Sequence, residues 1–577
     1  MNNTKEEQTA IEKRFTSSGA LTRRKLLEYI PVMIVTNMSV FLLTAVDGLV
    51  AGNLVGSNAL ASVNIFFPAT VIITVVSTIA ASGAATSLAT AMGRNDVEGI
   101  RYVKSAVRLT MILAVLLTAA VEFPVIYLVI NSYTLSPEMS TMVWQYAAGM
   151  MIAMPIGIIS SVGSYQLQII GKMKVLMTLS VIEGVLNLVL DVFFAGVLDM
   201  GIVGIGLGTA CANVFRASAT IICMVKMTDI FRFGGVRPRW KEIKDILQCG
   251  APDAAAMFMV AVQNYFIMMI ILEGFGDEGG VIKGVCALAY NIANIIILGM
   301  TSSMRPLAGL YSGVDAKREM RLLMRHCVML SAAAVGLLVL AMEIFPKLLY
   351  QFNGVHEIPE GGILSLRLFM LYLIFLAMDA LFRLYFANRK DSKFATGLTI
   401  VGNAMLPVFA LILFRLLPAP YIWLGYLMTE LLLFIVNICR YQWWLKRDER
   451  EDNPEEEVLY LTVRPEEAIE ASRMIRHFAE ENGYPERIAY RMALCMEEMV
   501  AYAVNSQKNP GIEIQIMAKF TPEEGTFFML DDGKCIALDE NKETTALITN
   551  NYELLKKLAK SVEYQYLLNM NYTVFRF

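Results

Sequence analysis

The stretch "GRNDVEGIRYVKSAVRL" (93–109) has a counterpart in "GVDAKREMRLLMRHCVML" (313–330), 220 residues further on. Each opens on glycine, runs through a basic turn and leads into a long apolar segment. Other features keep the same spacing. Pro31 answers Pro252, "VEFP" (121–124) answers "MEIFP" (342–346), "IIGKMK" (169–174) answers "FANRKDSK" (386–393), and Thr209 answers Thr429. A period this long, carried by equivalent turns, indicates two copies of one multi-helix unit in the same orientation.

Composition says what that unit is. Of 577 residues 56% are hydrophobic and 18% charged, and the mean hydropathy is +0.53. A soluble chain of this length needs more polar surface, so an integral membrane protein is expected. The formal net charge of −3 gives no field that would attract nucleic acid. The scattered cysteines and the lone His326, His356 and His477 form no metal-ligand spacing. Apolar runs predict twelve spans near 27–51, 60–91, 105–130, 139–166, 175–197, 203–227, 246–272, 281–304, 322–345, 361–386, 394–416 and 421–444. Alternate connections are rich in Lys and Arg, among them Arg23, Arg24, Lys25, Arg94, Lys172, Arg237, Arg318 and Arg389. The other connections hold little beyond Lys283, Lys347 and Arg415. The positive-inside rule then puts both termini in the cytoplasm of a cell whose plasma (inner) membrane carries the chain. The expected division is an N-terminal segment (1–25), a first six-helix lobe (26–227), a cytoplasmic loop (228–245), a second lobe (246–445), a charged linker (446–457) and a small cytoplasmic α+β domain (458–577).

Within "EGVLNLVLDVFF" (183–194), Glu183, Asn187 and Asp191 recur every four residues and share one helix face. A carboxylate at membrane depth costs roughly 2.5–3.5 kcal/mol on insertion scales, so it marks a functional position by default. Counting from helix ends, Asp47 in helix 1, Asp191 in helix 5 and Thr209 in helix 6 all fall roughly 8–10 Å below the outer surface at 1.5 Å per residue. Asn187 lies one turn deeper. Two carboxylates, an amide oxygen and a hydroxyl at one depth suit Na⁺ or a shared proton. Glu183 is expected to face a hydrated cavity. The second half lacks this set: Asn403 matches Asn187, but Pro407 stands where an Asp would be counted. It offers Asp379 instead, with Gln263, Asn264, Asn291 and Asn294 as candidate cavity residues. The 36 Met and 29 Phe would suit an adaptable cavity.

"AVDGLVAGNLVG" ending helix 1, "TAMGRND" after helix 2, "QIIGKMK" after helix 4 and "LGTA" in helix 6 resemble the multidrug and toxic compound extrusion (MATE) family over residues 20–445. The Asn-x-x-x-Asp pattern with Thr209 is similar to its DNA-damage-inducible, archaeal-like branch. The resemblance implies cation-coupled efflux, with Asp47, Asn187, Asp191 and Thr209 as the coupling-cation site and Asp379 facing the central cavity. The partners it implies are a small-molecule substrate, the coupling cation and the bilayer.

After residue 457 the chain alternates amphipathic helices with strand patterns such as "IEIQIMAKF", "TFFMLDDG" and "NYTVFRF". "AYRMALCMEEMVAYAVNS" (489–506) and "MLDDGKCIALDE" (529–540) resemble the N-box and D-x-G box of the histidine-kinase-like, anti-sigma-factor type of ATPase. That resemblance gives Glu498 the water-activating position, Asp531 the adenine contact beside Gly533, and a Mg²⁺-holding Asn the position where Tyr502 stands; Asn505 lies one turn on. The phosphate-binding glycines are replaced by "TNNYELLKKL", so the backbone cannot approach phosphate closely. A regulatory domain with an ATP-sized pocket or a cytoplasmic protein partner is expected, rather than an enzyme, and transport itself needs no cofactor beyond Na⁺ or H⁺. Two other readings fit less well. A lipid-linked oligosaccharide flippase would favour a basic cavity for phosphate, and the acidic membrane residues here favour cationic cargo. A membrane-held signalling module would favour an intact N-box.

Overall fold

The computed structural model describes residues 19–94, 97–132, 135–227, 236–275, 278–353, 355, 357–450, 457–505, 514–521, 524–533, 554–555 and 557–577. In lipid the backbone must satisfy its own polar groups, and the apolar runs do so as helices. These are α1 (Ala20–Val50), α2 (Ser57–Gly93), α3 (Val97–Asn131), α4 (Pro137–Ile169), α5 (Met173–Asp191), α6 (Gly201–Met227), α7 (Trp240–Phe275), α8 (Glu278–Gly313), α9 (Lys317–Ile344), the short α10 (Pro346–Phe352), α11 (Gly362–Met370), α12 (Tyr372–Asn388), α13 (Ser392–Leu416) and α14 (Leu424–Arg450). Among the described residues eleven helical spans are long and apolar enough to cross a bilayer, from Ile65–Gly93 to Ala419–Asp448. The helix α1 precedes them where the first expected span, 27–51, was placed; several of its side chains, including 42–46, lie outside the described set.

The span expected at 361–386 is present as Gly362–Asn388, built from α11 and α12, which meet at Leu371. Two expectations need correction. Residues 446–450 of the expected linker continue α14 as helix. Lys283, read as a loop charge, is on the first turns of α8 and points into a cavity.

The chain forms two compact units. The larger holds residues 28–313 and 324–440. In it α2 packs along α3 and α4, and α4 along α6, while α7 packs along α13 and α8 along α12. Helix α2 also joins the two halves by lying against α7 and α8. That seam is made of small residues. Gly83 of α2 abuts the carbonyl of Ile246, and Gly250 of α7 abuts the carbonyl of Ile79; a Cβ at either glycine would overlap those oxygens. Such close backbone approach is how membrane helices associate where no hydrophobic force separates helix from lipid. One charged tie crosses the same seam. Asp253 Oδ2 on α7 accepts from Arg305 Nη2 on α8 at 2.8 Å and from Ser82 Oγ on α2 at 2.5 Å. Arg305 Nη1 also donates to Ser82 Oγ (2.9 Å) and Thr86 Oγ1 (3.3 Å).

The smaller unit comprises 441–577 with the described part of 1–27 and residues 314–323. Its sheet contains β1 (Glu457–Val463), β2 (Ile514–Phe520), β3 (Gly525–Asp531), β4 (Ser561–Leu567) and β5 (Met570–Arg576), in the order β1-β2-β3-β5-β4 with antiparallel neighbours. The turn between β4 and β5 puts Leu568 and Asn569 at φ 58° and 56°, the left-handed pair of a two-residue hairpin. Helices α15 (Ala468–Glu481) and α16 (Glu486–Asn505) cover one face. Ile475, Met496, Ile516, Phe527 and Phe575 form the core between them. Inside this unit Lys25 Nζ donates to Asn569 O at 3.1 Å, Arg24 pairs with Asp532, and Arg318 stands over the Tyr460 ring at 5.7 Å.

Candidate functional site

Helices α1 and α5 each end in a single wide turn, Ala51–Val55 and Val192–Val197, closed by i→i−5 bonds from Gly56 N to Ala51 O and Leu198 N to Phe193 O, both 2.9 Å. Such turns recur at functional sites. Asp47 stands one turn before the first, and Asp191 immediately before the second. The four residues expected from depth come together. Thr209 Oγ1 donates towards Asp47 Oδ2 (3.2 Å), and Asn187 Nδ2 donates to Thr209 Oγ1 (3.1 Å) and Asp191 Oδ1 (3.4 Å). The two carboxyl groups are within hydrogen-bonding reach of each other. All four are buried, with Asn187 and Asp191 fully enclosed.

Sequence reasoning missed two further parts. Tyr146 of α4 donates its hydroxyl to Asp47 Oδ2 at 2.9 Å, and Phe66 meets its ring edge-on at 5.3 Å. A depth count along helix 4 would have found it. Gly208, one residue before Thr209, lets Asp191 lie against α6: a Cβ there would overlap Asp191 Oδ1 and sit 3.0 Å from Asp191 N.

Donors and acceptors do not balance. Four carboxylate oxygens and one amide oxygen face a phenol, a hydroxyl and one NH₂ group. Asn187 Oδ1 and Asp191 Oδ2 are buried with no partner among the described residues. A buried acceptor without a donor costs about 1–3 kcal/mol, so the knot has acceptor capacity that its own donors leave unused. Among the described residues no group of three or more His, Cys, Asp or Glu is placed to hold a metal ion.

Glu183 is one turn back along the α5 face. Arg216 of α6 donates Nη1 to Glu183 Oε2 at 2.6 Å and Nη2 to Ser164 Oγ at 2.9 Å. The pair lines a cavity of about 420 Å³ in the first lobe, with Met33, Thr36, Asn37, Gln168 and Asn213. Glu183 therefore faces a cavity, as expected, but as half of an ion pair. Arg216 went unread, although an arginine in a span is itself a signal.

The second lobe has a smaller cavity of about 110 Å³. Asp379 lines it, accepting from Arg383 Nη1 (2.9 Å) and Asn437 Nδ2 (3.0 Å). Gln263 and Asn264 line it too, and Lys283 Nζ donates to Asn264 Oδ1 and Tyr426 Oη, both at 2.9 Å. Asn291 and Asn294 do not line it, contrary to expectation. The lining stripe on α8 is Lys283, Ala287 and Tyr290; Asn294 continues that stripe a turn past the cavity, and Asn291 faces about 100° away. Glu430 of α14, absent from the sequence reading, also lines the cavity, and its Oε2 has no partner among the described residues.

In the tail, Asp531 Oδ1 accepts from Asn571 Nδ2 (2.7 Å) and Gly533 N (2.9 Å). Burial pushes this carboxyl above the usual range, and those two donors pull it back. Glu498 is half-buried on α16. Tyr502 and Asn505 fall on the same helix, with side chains outside the described residues, as is most of the "TNNYELLKKL" segment.

With this geometry in place, comparison is informative. Residues 33–193 match the MatE family model. A MATE protein crystallised in complex with MaL6 superimposes with a TM-score of 0.70 at 20% identity, covering 74% of this chain and 97% of that one. The membrane part of the chain has the MATE fold. A MOP superfamily transporter from Pyrococcus furiosus matches with a TM-score of 0.69, also at 20% identity, covering 74% of this chain and 96% of that one. Among curated relatives, multidrug export protein MepA of Staphylococcus saprophyticus is 25% identical over 32% of this chain and 41% of its own length. The probable multidrug resistance protein NorM of Thermotoga maritima is 24% identical over 51% of this chain and 64% of its own. The chain thus spans between two fifths and two thirds of the length of these relatives. These structural matches cover about three quarters of the chain.

Proposed function

We propose that this MATE-fold chain is a secondary antiporter of the cell membrane. It exports organic, drug-like compounds against an inward flow of Na⁺ or H⁺ and does no covalent chemistry. The observation that carries the reading is the acceptor-rich knot of Asp47, Asn187, Asp191, Thr209 and Tyr146, whose orphaned oxygens call for a cation. The names of the relatives, multidrug export and multidrug resistance, supply the cargo class. In this reading the first lobe resembles the archaeal-like branch, both termini face the cytoplasm, and the tail regulates transport through a histidine-kinase-like fold able to take a nucleotide or a protein partner. A ligand of the tail can act only through different affinities for two transporter states, typically about 1–3 kcal/mol.

The test is gradient-driven efflux from reconstituted vesicles. Asp47→Asn and Asp191→Asn each remove a charge at constant shape, and each is expected to abolish coupled efflux while the protein remains folded in the membrane. Wild-type rates in either variant would remove the knot from the coupling mechanism.

A further inference from the structure

Among the described residues, the cavity of the first lobe carries one charged pair and nothing else charged. Of the residues that line it, only Glu183 and Arg216 bear opposite formal charges, and they are 2.6 Å apart. Both are more than nine-tenths buried, at 7% and 4% exposure. The rest of the wall mixes hydroxyls, amides and thioethers, such as Thr36, Asn37, Gln168 and Met150, with aliphatic side chains such as Ile73 and Leu176. Arg216 Nε has no partner among the described residues. Asp47 and Asp191 do not line this cavity.

Resting on the export reading above, we infer that this cavity selects solutes of zero net charge, zwitterions first, and that the Glu183–Arg216 pair sets the choice. A permanent cation entering here leaves water and meets no net counter-charge, so its desolvation is not offset. A zwitterion exchanges one buried pair for two: its carboxylate takes the Arg216 guanidinium while its ammonium takes the Glu183 carboxylate. Every charge stays partnered throughout. The forked guanidinium favours a carboxylate over a point anion. This reverses the cationic cargo expected from the acidic membrane residues, because the unpaired carboxylates are in the cation knot and not in the cavity wall.

The pair is also well placed for exchange with the knot. On α5 the face runs Glu183, Asn187, Asp191; on α6 it runs Thr209, Asn213, Arg216. Both series keep helical spacing. Solute at one end and cation at the other therefore act on the same two helix faces.

The experiment uses the full chain, purified and reconstituted. Three probes of similar size are compared: the permanent cation tetraphenylphosphonium, the zwitterion ciprofloxacin and the anion carboxyfluorescein. Binding to the solubilised protein and gradient-driven transport are both measured. Wild type is expected to prefer ciprofloxacin by about tenfold or more over either ion. Glu183→Gln leaves Arg216 unpaired and should move the preference towards the anion; Arg216→Gln should move it towards the cation. Because a lone buried charge can impair folding, the exchanged pair Glu183→Arg with Arg216→Glu is included and should keep the zwitterion preference. A wild type that prefers tetraphenylphosphonium overturns the inference, as does a preference that stays within about twofold in both single variants. Zwitterion-selective binding without transport of any probe would uphold the cavity assignment and remove the export reading instead.

Discussion

Gly208→Ala is the smallest change that tests how the cation knot is held. The added methyl would overlap Asp191 Oδ1, with Asp191 Cγ 3.2 Å and Asp191 N 3.0 Å away. The backbone nitrogen can retreat only if α5 and α6 part, and α5 continues directly into its wide turn at Val192. The carboxyl group is the softer element. Rotating it away breaks the 3.4 Å contact from Asn187 and moves Asp191 from Asp47. Overpacking of this kind costs about 1–3 kcal/mol. Taken entirely from cation binding, that is a rise of about 5- to 150-fold in the cation concentration giving half-maximal efflux. The assay is efflux rate against external Na⁺ and against pH in reconstituted vesicles. Gly336→Ala is the control, since nothing lies within 4 Å of its added carbon and a helical Gly→Ala change adds roughly 1 kcal/mol of helix propensity. Gly208→Ala with an unchanged half-maximal cation concentration and normal folding would refute the argument that Asp191 is seated through the missing side chain.

Three other outcomes are expected. Arg305→Gln leaves Asp253 without its counter-charge and should destabilise the solubilised protein by about 3 kcal/mol, the low end for a buried pair because Asp253 keeps 27% exposure; Arg305→Met with Asp253→Leu should recover most of it, and unfolding by denaturant measures both. Asp531→Asn should make the tail less pH-sensitive: a carboxyl whose folded pKa is raised adds stability below its unfolded value near 3.9 and loses it as pH rises through the folded value, so amide exchange of β3 in the variant should be slower than wild type at neutral pH and similar at low pH. A reporter fused after Phe577 should report the cytoplasm; an extracellular signal would overturn the orientation drawn from the basic loops.

What the sequence disclosed depended on regularity. The repeat and the apolar runs showed the helices because lipid imposes length and composition on every span. Asp47, Asn187, Asp191 and Thr209 could be brought together because helix rise converts position into depth, and hydrogen bonds join them in the structure. Side-chain reach across helices has no such ruler. Tyr146 was one more aromatic in an apolar run until its hydroxyl met Asp47. Arg216 needed Glu183 opposite it to have a meaning. Lys283 was counted with a loop because the start of α8 is set by packing and not by hydropathy. Asn294 failed because a cavity of about 110 Å³ ends before its turn, and Asn291 because it faces about 100° away from the lining stripe. In the tail, strand patterns in the sequence marked β2, β3 and β5, while β1 and β4 form the two edges of the sheet.

The glycine seam between α2 and the helices α7 and α8 has a mechanical consequence. Interlocked side chains must climb over one another before two helices can part, which makes separation slow and the closed state deep. Here backbone meets backbone at Gly83 and Gly250, and the faces are nearly smooth. Parting them breaks the tie of Asp253, Arg305 and Ser82 together with the long packing of α2 against α7 and α8. The fit is correspondingly intolerant: one methyl group on either face would wedge the seam. The two halves are thus joined by a surface that resists intrusion, because anything larger than a hydrogen at Gly83 or Gly250 must push two backbones apart.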